Sequence, residues 1–391
     1  MGLNKYGTTL PGRSSLFLNY LTFNDVAIIE YGTQGHMIFN FSQYFQSNID
    51  RRMEGVYNTS LGEMDLVLGC DDRLYEASTE AKEDGYKNIF LMPSALGDVM
   101  GFDLKYYASD IGAINNINCF TASIKSDASF YLGEEAFYNS LIPLLKNNSN
   151  KYNGYGISII GDSNFFINKK KHQEIRNFLK EYLALNTIYD SLELHNLKEV
   201  ERLKEANLTV VTTKSALGLA IYLKNEFNIP YYYFNSIDLL SLNNDLKEIE
   251  ELLGVKRIKE LKDNYYDGII FQFKNIMEYF SNRKLILYLN VDNLIATRKL
   301  LDGLNINYEA YSIFECPSYK HITIDECIDR FNSKEYFVIG NDIVSANIDN
   351  SISIEEIRLD YTILTPIEVP YTLLNGCYKL IKLICDKIFK N

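Results

Sequence analysis

The sequence has no tryptophan, few prolines and histidines, and a deficit of positive charge. Thirty-nine lysines and arginines face 51 aspartates and glutamates, so the formal net charge is −12 and the isoelectric point is near 5.0. Binding to nucleic acid or to an anionic membrane surface needs a concentrated basic face, and this charge balance disfavours both partners. The one dense basic run, Lys169 to Lys171, is short and is interpreted as the solvated start of a helix.

Cysteine is also sparse, and the six cysteines include no C-x-x-C pair. They indicate reduced thiols of a cytoplasmic protein, because a disulfide framework needs more cysteines in a shorter chain. Residues 1–12 lack the basic region and the apolar core of a secretory signal. No apolar run approaches the roughly 18 residues of a membrane-spanning helix. We therefore expect a cytoplasmic protein that has no membrane partner.

Sequence motifs of nucleotide-binding, catalytic and metal sites are missing as well. The sequence has no G-x-x-x-x-G-K-[ST] and no G-x-S-x-G, which excludes a Walker-type nucleotide site and a nucleophile elbow. Gly154, Gly156 and Gly161 precede or end a predicted strand and do not open the following helix, so they make a poor dinucleotide fingerprint. Cys377 and Cys385 lie eight apart on a predicted helix, or roughly 12 Å along its axis, and cannot bind one metal ion together.

The composition that remains is globular, with 47% hydrophobic and 23% charged residues. Short β-branched runs alternate with amphipathic patterns, which predicts parallel sheets covered by helices on both faces. The predicted strands occupy residues 25–31, 65–70, 88–93, 156–162, 208–213, 284–290 and 335–341, and the helices between them include residues 168–183, 215–227 and 291–304. The run at 230–234 favours a further buried strand over a stacking platform.

Polar breaks at 147–156 and near 280–284 divide the chain into three α/β units. We predict an N-terminal Rossmann-like domain at 1–150, a second at 151–280 and a third, with a C-terminal helix, at 281–391. Several predicted strands end in a small or polar pair, as at Gly161-Asp162. Ligands gather at the carboxyl ends of strands in open α/β sheets, so these pairs are natural positions for a cleft.

Seven segments, in order over nearly the whole chain, resemble characteristic segments of nitrogenase component 1 proteins. "DVAIIEYGTQGH" resembles their strand followed by H-G-P-x-G-C, and "YNTSLGEMDLVLGCDDRLYEA" resembles T-x-L-x-E-x-D-x-V-x-G-G-x-x-x-L. "NIFLMPSALGDVMGFDL" is similar to C-x-x-x-x-I-G-D-D-I, and "ALGLAIYLKNEFNIPYY" to L-A-x-x-L-x-x-x-F-G-I-P. The remaining three segments are "KLILYLNVDNLIATRKLLDGLNINYE", "YFVIGNDIVSA" and "TPIEVPYTLLNGCYKLIKLICDKI".

The resemblance implies three Rossmann-like domains with mainly parallel sheets around a central cleft for a metal cluster or a tetrapyrrole-like substrate. It also implies pairing with a homologous component 1-like subunit, as a hetero- or homo-oligomer, and electrons from a separate ATP-dependent iron protein. The missing nucleotide motif agrees with that division of labour.

The departures from the family pattern concern thiolates, which the cluster-bearing members supply from three places near the N-terminus. Residues 8–17 contain no cysteine, His36 stands where H-G-P-x-G-C ends in cysteine, and no cysteine lies between 71 and 118. An iron–sulfur cluster would therefore be shared with, or held by, a partner subunit. The related protochlorophyllide reductases set a precedent, since one subunit gives three cysteines and its partner an aspartate at the position matching His36.

Five residues are candidates for binding the cofactor or substrate. His36 is interpreted as a metal ligand or proton donor at a subunit interface, or else as a helix-start histidine that bonds nearby backbone. Cys70 could donate a thiolate to the cleft or serve as a small buried hydrophobe. Arg13 and Gln34 could contact an anionic or amide-bearing substrate, with an ordinary surface role as the alternative for Arg13. Ser94 could line the cleft or cap a helix.

The other singled-out residues receive structural interpretations. Asp98 and Asp103 are expected to cap or solvate a helix start, and the remaining cysteines are treated as core or surface residues. Three hypotheses stay open for the whole chain: a subunit of a reductase complex, a non-redox scaffold that carries a metallocofactor precursor or tetrapyrrole, and a homodimer without metal.

Overall fold

The computed structural model describes residues 10–35, 54–68, 71–125, 128–145, 152–164, 166–279, 283–316, 318–355 and 371–389. Within these residues, three four-stranded sheets follow one another along the chain, and their strands pair in parallel. The fold class predicted from the sequence is confirmed. Each predicted unit contains one sheet, while the boundaries between the units stay a prediction.

The first sheet has the order β2-β1-β3-β4. Its strands are β1 (Val26–Glu30), β2 (Val56–Asn58), β3 (Asn88–Met92) and β4 (Asn118–Thr121). The helices of this part of the chain are α1 (Gly12–Tyr20), α2 (Glu63–Leu68), α3 (Asp72–Glu83), α4 (Ala95–Val99), α5 (Leu104–Asn115) and α6 (Phe130–Ser140). All five residues of β1 are buried, as expected for a central parallel strand covered on both faces.

The second sheet repeats this order as β6-β5-β7-β8. Its strands are β5 (Gly156–Ile160), β6 (Asn186–Asp190), β7 (Leu208–Val211) and β8 (Tyr231–Tyr233). Its helices are α7 (Phe166–Leu183), α8 (Leu217–Phe227) and α9 (Leu239–Leu253), with a 3-10 helix at Leu197–Glu205. The next helix along the chain, α10 (Tyr266–Tyr279), packs in the core of the third sheet. The run at 230–234 does contain a strand, β8, although its three tyrosines are half-buried.

The third sheet has the order β10-β9-β11-β12, so one topology occurs three times. Its strands are β9 (Lys284–Leu289), β10 (Tyr308–Ser312), β11 (Tyr336–Asn341) and β12 (Ser351–Glu355). Its helices are α11 (Val291–Gly303), α12 (Ile324–Phe331), α13 (Asp342–Asn347) and α14 (Leu373–Phe389). Asn290 caps α11 by accepting from the Asn293 amide at 2.9 Å, which explains why the helix begins directly after β9.

One predicted strand is wrong: residues 65–68 of the segment 65–70 belong to helix α2, and residues 69–70 lie outside the described part of the chain. Met64 and Val67 are 67% and 79% exposed, so the apolar residues of this run are not buried in a sheet. Glu63 and Asp65 lie in the first turn, where negative charge stabilises a helix. Periodicity alone does not separate so short an apolar run from a helix.

The first two units share a core in which α1 lies against α6. Tyr20 of α1 stacks on Phe90 of β3, with ring centroids 3.7 Å apart, and Leu203 of the second unit belongs to the same cluster. A Cβ added at Gly133 of α6 would lie 2.0 Å from the carbonyl oxygen of Gly12. Only glycine therefore permits this close approach of the two helices.

We expect Gly133→Ala to lower the free energy of unfolding by about 1–3 kcal/mol, because the methyl group forces α1 away from α6. Urea unfolding followed by circular dichroism measures the change. Gly268→Ala in α10 is the matched control, since a Cβ there meets no atom within 4 Å. That variant should keep or slightly raise stability. Equal effects of the two replacements would contradict the close contact.

Candidate functional site

The carboxyl ends of the strands place polar residues between the units. In each sheet the chain reverses its direction of winding between the first and third strands, where α/β proteins form a crevice. In the second sheet this point lies between Gly161-Asp162, which follow β5, and Thr212-Thr213, which follow β7. The sequence had marked Gly161-Asp162 as a cleft position.

Asp162 is the centre of a buried ionic group. Its carboxylate lies 2.9 Å from Lys171 Nζ and accepts a hydrogen bond of 2.7 Å from Thr212 Oγ1. Burial alone would raise the pKa of Asp162, but the charges of Lys171 and His172 hold it well below its usual range. The carboxylate is therefore ionised at neutral pH.

Lys171 belongs to α7, and the interpretation of its basic run as solvated was wrong for this residue. Its side chain is only 12% exposed because it pairs with Asp162 and donates to the Thr212 carbonyl oxygen at 3.3 Å. The sequence pattern could not show this pairing. Asp162 follows β5 and Lys171 lies in α7, and only the path of the chain between these two elements brings the side chains together.

His172 lies between two aspartates and is 1% exposed. Its Nδ1 is 2.7 Å from Asp190 Oδ1, and its Nε2 is 3.0 Å from Thr212 Oγ1, which in turn donates to Asp162. Burial opposes the charged form, but the two carboxylates raise the pKa of His172 to about 9. The side chain is thus an imidazolium that donates from both nitrogens.

Glu134 of α6 is a second buried acid, and its chemistry differs from that of Asp162. Its carboxyl oxygens accept from Ser163 Oγ at 2.9 Å and from Ser215 Oγ at 2.7 Å. Burial, reinforced by the nearby charge of Asp162, raises the pKa of Glu134 to about 8. Glu134 is therefore mostly protonated at neutral pH, although it belongs to the same polar network. Ser163 also bonds to Ser15 of α1 at 2.7 Å.

Asp292, in the first turn of α11, connects the third unit to the second. Its Oδ1 accepts from the Lys214 backbone amide at 2.9 Å and from the Tyr233 hydroxyl at 2.6 Å. Asn235 Nδ2 donates to the Asp292 carbonyl oxygen at 2.5 Å. Burial raises the pKa of Asp292.

We name these side chains the junction cluster, because they come from all three units and meet near the strand ends. Its members are Glu134, Asp162, Lys171, His172, Asp190 and Asp292. Sequence reasoning identified only Asp162, through the polar pair at a strand end. The others lie in helices or at another strand end, and their sequence context is ordinary.

The candidate residues taken from the sequence lie mostly elsewhere. His36 and Cys70 are outside the described residues. Arg13 is half-buried in the first turn of α1, and Gln34 is exposed just after β1. Ser94 caps α4: its Oγ accepts from the Gly97 amide at 3.0 Å and donates to the Tyr31 carbonyl oxygen at 2.7 Å.

Ser94 and the loop at residues 31–33 therefore meet at the carboxyl edge of the first sheet. Gly32 in this loop donates its amide proton to Thr59 Oγ1 at 2.9 Å, which ties it to the end of β2. Asp103 caps α5, as expected, by accepting from the amides of Lys105 and Tyr106. The functional roles of the candidate residues stay predictions.

The described cysteines do not fit a cysteine-ligated cluster. Within the residues that the structure describes, no group of three or more His, Cys, Asp or Glu is arranged to hold a metal ion. Burial raises the pKa of the thiols of Cys119, Cys327 and Cys377 to about 12, so they are thiols and not thiolates at neutral pH.

The three parallel sheets and the polar junction between them define an α/β protein built from three Rossmann-like units. A family model described as "Nitrogenase component 1 type Oxidoreductase" matches residues 16–330. The chain belongs to this nitrogenase component 1 type oxidoreductase family. Members of the family bind iron–sulfur clusters, and they usually act in oligomers with a component 2 iron protein.

The similar curated proteins are light-independent protochlorophyllide reductase B subunits. The subunit from Chlorella vulgaris is 24% identical over 206 residues, which cover 48% of this chain and 39% of the relative. The subunit from Crocosphaera subtropica is 27% identical over 164 residues, covering 41% and 30%. The chain thus spans less than half the length of the curated relatives it matches.

Two solved structures share the fold. "Nitrogenase Cp1 at pH 6.5" superposes with a TM-score of 0.72 at 15% identity, covering 100% of this chain and 94% of that one. "Nitrogenase Cp1 at pH 5" gives 0.67 at 14% identity, with 98% and 89% covered. In the described part of the chain, no helix combines the length and apolar character needed to cross a membrane.

Proposed function

We propose that the chain is a component 1-like subunit of a reductase complex that receives low-potential electrons from an ATP-dependent iron protein. It would shape a cleft for a metallocofactor or for a small unsaturated or tetrapyrrole-like substrate. The observation that carries this proposal is the family match over residues 16–330, together with a fold whose three units meet at one polar junction. The protein would act in the cytoplasm.

In this proposal a homologous, cysteine-bearing partner holds the iron–sulfur cluster. The described cysteines support that assignment, because none of them belongs to a group of three or more His, Cys, Asp or Glu arranged to hold a metal ion. His36 would face the partner as a ligand or proton donor. The ionised residues of the junction cluster would hold the three units in one fixed arrangement, so that the walls of the cleft are preorganised for the substrate.

The second candidate function is a non-redox scaffold that keeps the fold and cleft and carries a metallocofactor precursor or tetrapyrrole unchanged. The observation that favours it is the lack of a thiolate ligand set among the described residues. The two functions differ in one measurable property, because only the reductase subunit belongs to a complex that contains a reducible cluster.

Anaerobic purification separates the two candidates. The chain is purified alone and co-expressed with a cysteine-bearing component 1-like subunit, and iron, acid-labile sulfide and the EPR spectrum of the reduced sample are measured. We expect a cluster signal in the co-complex, and we expect His36→Ala to change its shape or midpoint potential. His321→Ala, which removes an imidazole that hydrogen-bonds to the Ser312 carbonyl oxygen in the third unit, is the matched control and should leave the spectrum unchanged.

Absence of iron from both preparations would remove the reductase proposal and favour the scaffold. A cluster whose spectrum is identical in wild type and in His36→Ala would keep the reductase complex but would remove His36 from the site.

A further inference from the structure

Two cationic side chains from different units converge on one aromatic ring. Lys214, which follows β7, places its Nζ 6.0 Å from the centroid of the Tyr319 ring. Arg298 of α11 places its Cζ 5.3 Å from the same centroid. All three residues are half-buried. The second and third units therefore each place one positive charge against the same half-buried tyrosine ring.

Neither cation forms an ion pair with a carboxylate among the residues that the structure describes. Arg298 Nε donates to the Tyr308 hydroxyl at 2.9 Å, and Lys214 is held through its backbone amide by Asp292. Carboxylates are abundant in the sequence, which has 51 acidic residues against 39 basic ones, so most basic side chains could find an acidic partner. A half-buried pair of cations without one is costly unless an anion completes it.

The position of Tyr319 connects this pair to the first unit as well. Tyr319 forms an isolated β-bridge with Cys316. Burial raises the pKa of Tyr131 of α6, and the charges of Asp292 and Glu135 and the nearby Cys316 add to the rise. Cys316 of the third unit therefore lies close to Tyr131 of the first. Cys316 and Tyr319 thus lie near residues of all three units: Tyr131 of the first, Lys214 of the second and Arg298 of the third.

We propose that Lys214 and Arg298 clamp a carboxylate group of the ligand that occupies the cleft between the units. This inference rests on the proposed function, and it specifies which part of the substrate this chain would recognise. The planar guanidinium of Arg298 suits the two oxygens of a carboxylate, while the ammonium of Lys214 adds a point charge from the opposite unit. A carboxylate bound there would draw the second and third units together.

The same fold offers a matched control pair. Lys320 and Arg330 lie 5.6 and 5.4 Å from the centroid of the Tyr311 ring, so they repeat the arrangement of two cations around one tyrosine. Both are exposed and belong to the third unit alone. The hydroxyl of that tyrosine donates to Glu309 at 2.8 Å, which supplies negative charge beside the pair. A surface pair of this kind should not bind an anion specifically.

The test compares the double variant Lys214→Gln/Arg298→Gln with the control Lys320→Gln/Arg330→Gln in the full-length chain. The probes are protoporphyrin IX, which carries two carboxylates, its dimethyl ester, citrate and inorganic phosphate. Fluorescence quenching or calorimetry gives the dissociation constants, and circular dichroism confirms folding. Arg298→Lys, which keeps the charge and loses the planar fork, serves if the double variant does not fold.

We expect the double variant to weaken binding of a carboxylate probe at least roughly tenfold, while the control binds as wild type does. Tight binding of the porphyrin acid but not of its ester would assign the carboxylate to a tetrapyrrole, and tight binding of citrate alone would assign it to a small polycarboxylate. The proposal is overturned if neither carboxylate probe binds wild type, if the double variant binds them equally well, or if phosphate alone binds.

These measurements need no cluster, so they separate this inference from the proposed function. A carboxylate that binds through Lys214 and Arg298 to a chain that never acquires iron, alone or in complex, would support the clamp and place it in a scaffold. A cluster-bearing complex whose probe binding ignores both residues would support the reductase proposal and remove the clamp.

Discussion

Replacing His172 with phenylalanine is expected to lower the free energy of unfolding by about 3–5 kcal/mol at neutral pH. The imidazolium of His172 lies between Asp190 and the Thr212–Asp162 pair, and all of these groups are buried. Phenylalanine keeps the ring volume and removes both donors, which leaves buried carboxylate charge without its partner. Urea unfolding at pH 7, followed by circular dichroism, measures the loss.

Two further variants identify the cause of that loss. His321→Phe is the matched control, because the ring of this half-exposed histidine has one hydrogen-bond partner among the described residues, the Ser312 carbonyl oxygen. It should cost less than about 1 kcal/mol. Adding Asp190→Asn to His172→Phe removes one unpaired charge and should restore part of the lost stability. A loss below about 1 kcal/mol for His172→Phe, or no recovery in the double variant, would contradict a buried ion pair.

The repeated α/β topology could be predicted from the sequence because it depends on local patterns. A parallel strand buried on both faces reads as a continuous apolar run, as in β1, β5 and β9, and a helix follows β5 and β9 directly. The same patterns explain α11, which begins at Val291 and ends at Gly303, within the predicted helix at 291–304. The family was predicted from seven segments that resemble family segments in the same order, and the match over residues 16–330 confirms it.

The junction cluster could not be predicted in this way, because its contacts join residues far apart in the sequence. His172 meets an acid 18 positions away at the end of another strand, and Asp292 meets Lys214 across 78 positions. Neither partner forms a motif by itself. Lys171 illustrates the opposite error. Its lysine run is typical of a solvated helix start, but the side chain is mostly buried because the fold places the carboxylate of Asp162 beside it.

The free energy of unfolding should also fall as pH rises from about 4.5 to 8. Glu134 contributes to this fall, and replacing Glu134 alone measures its contribution. Burial raises the pKa of Glu134 from 4.5 to about 8, so between these values the folded chain holds a proton that the unfolded chain has released. The contribution is complete below pH 4.5 and is lost as pH passes through 8, by roughly 1.4 kcal/mol per pH unit.

Glu134→Gln is expected to flatten this part of the stability curve. Glutamine resembles the protonated acid: its oxygen accepts from the Ser163 hydroxyl, and its amide donates to Ser215, whose own hydroxyl can turn to Thr213 Oγ1 at 2.8 Å. The variant should match wild type near pH 4 and exceed it by about 3 kcal/mol at pH 7. Unfolding midpoints in urea at intervals of half a pH unit measure both curves.

Glu135→Gln, one position along the same helix, is the matched control for the loss of a carboxylate. The informative quantity is the difference between the two variants as a function of pH, since the titration of the groups that both variants keep cancels in it. If Glu134 shares a buried site with the ionised Asp162, that difference grows steadily from pH 4.5 to 8 and then levels off. A difference that does not change with pH would mean that Glu134 is ionised in the folded protein, and the serines would then be bonded to a charge.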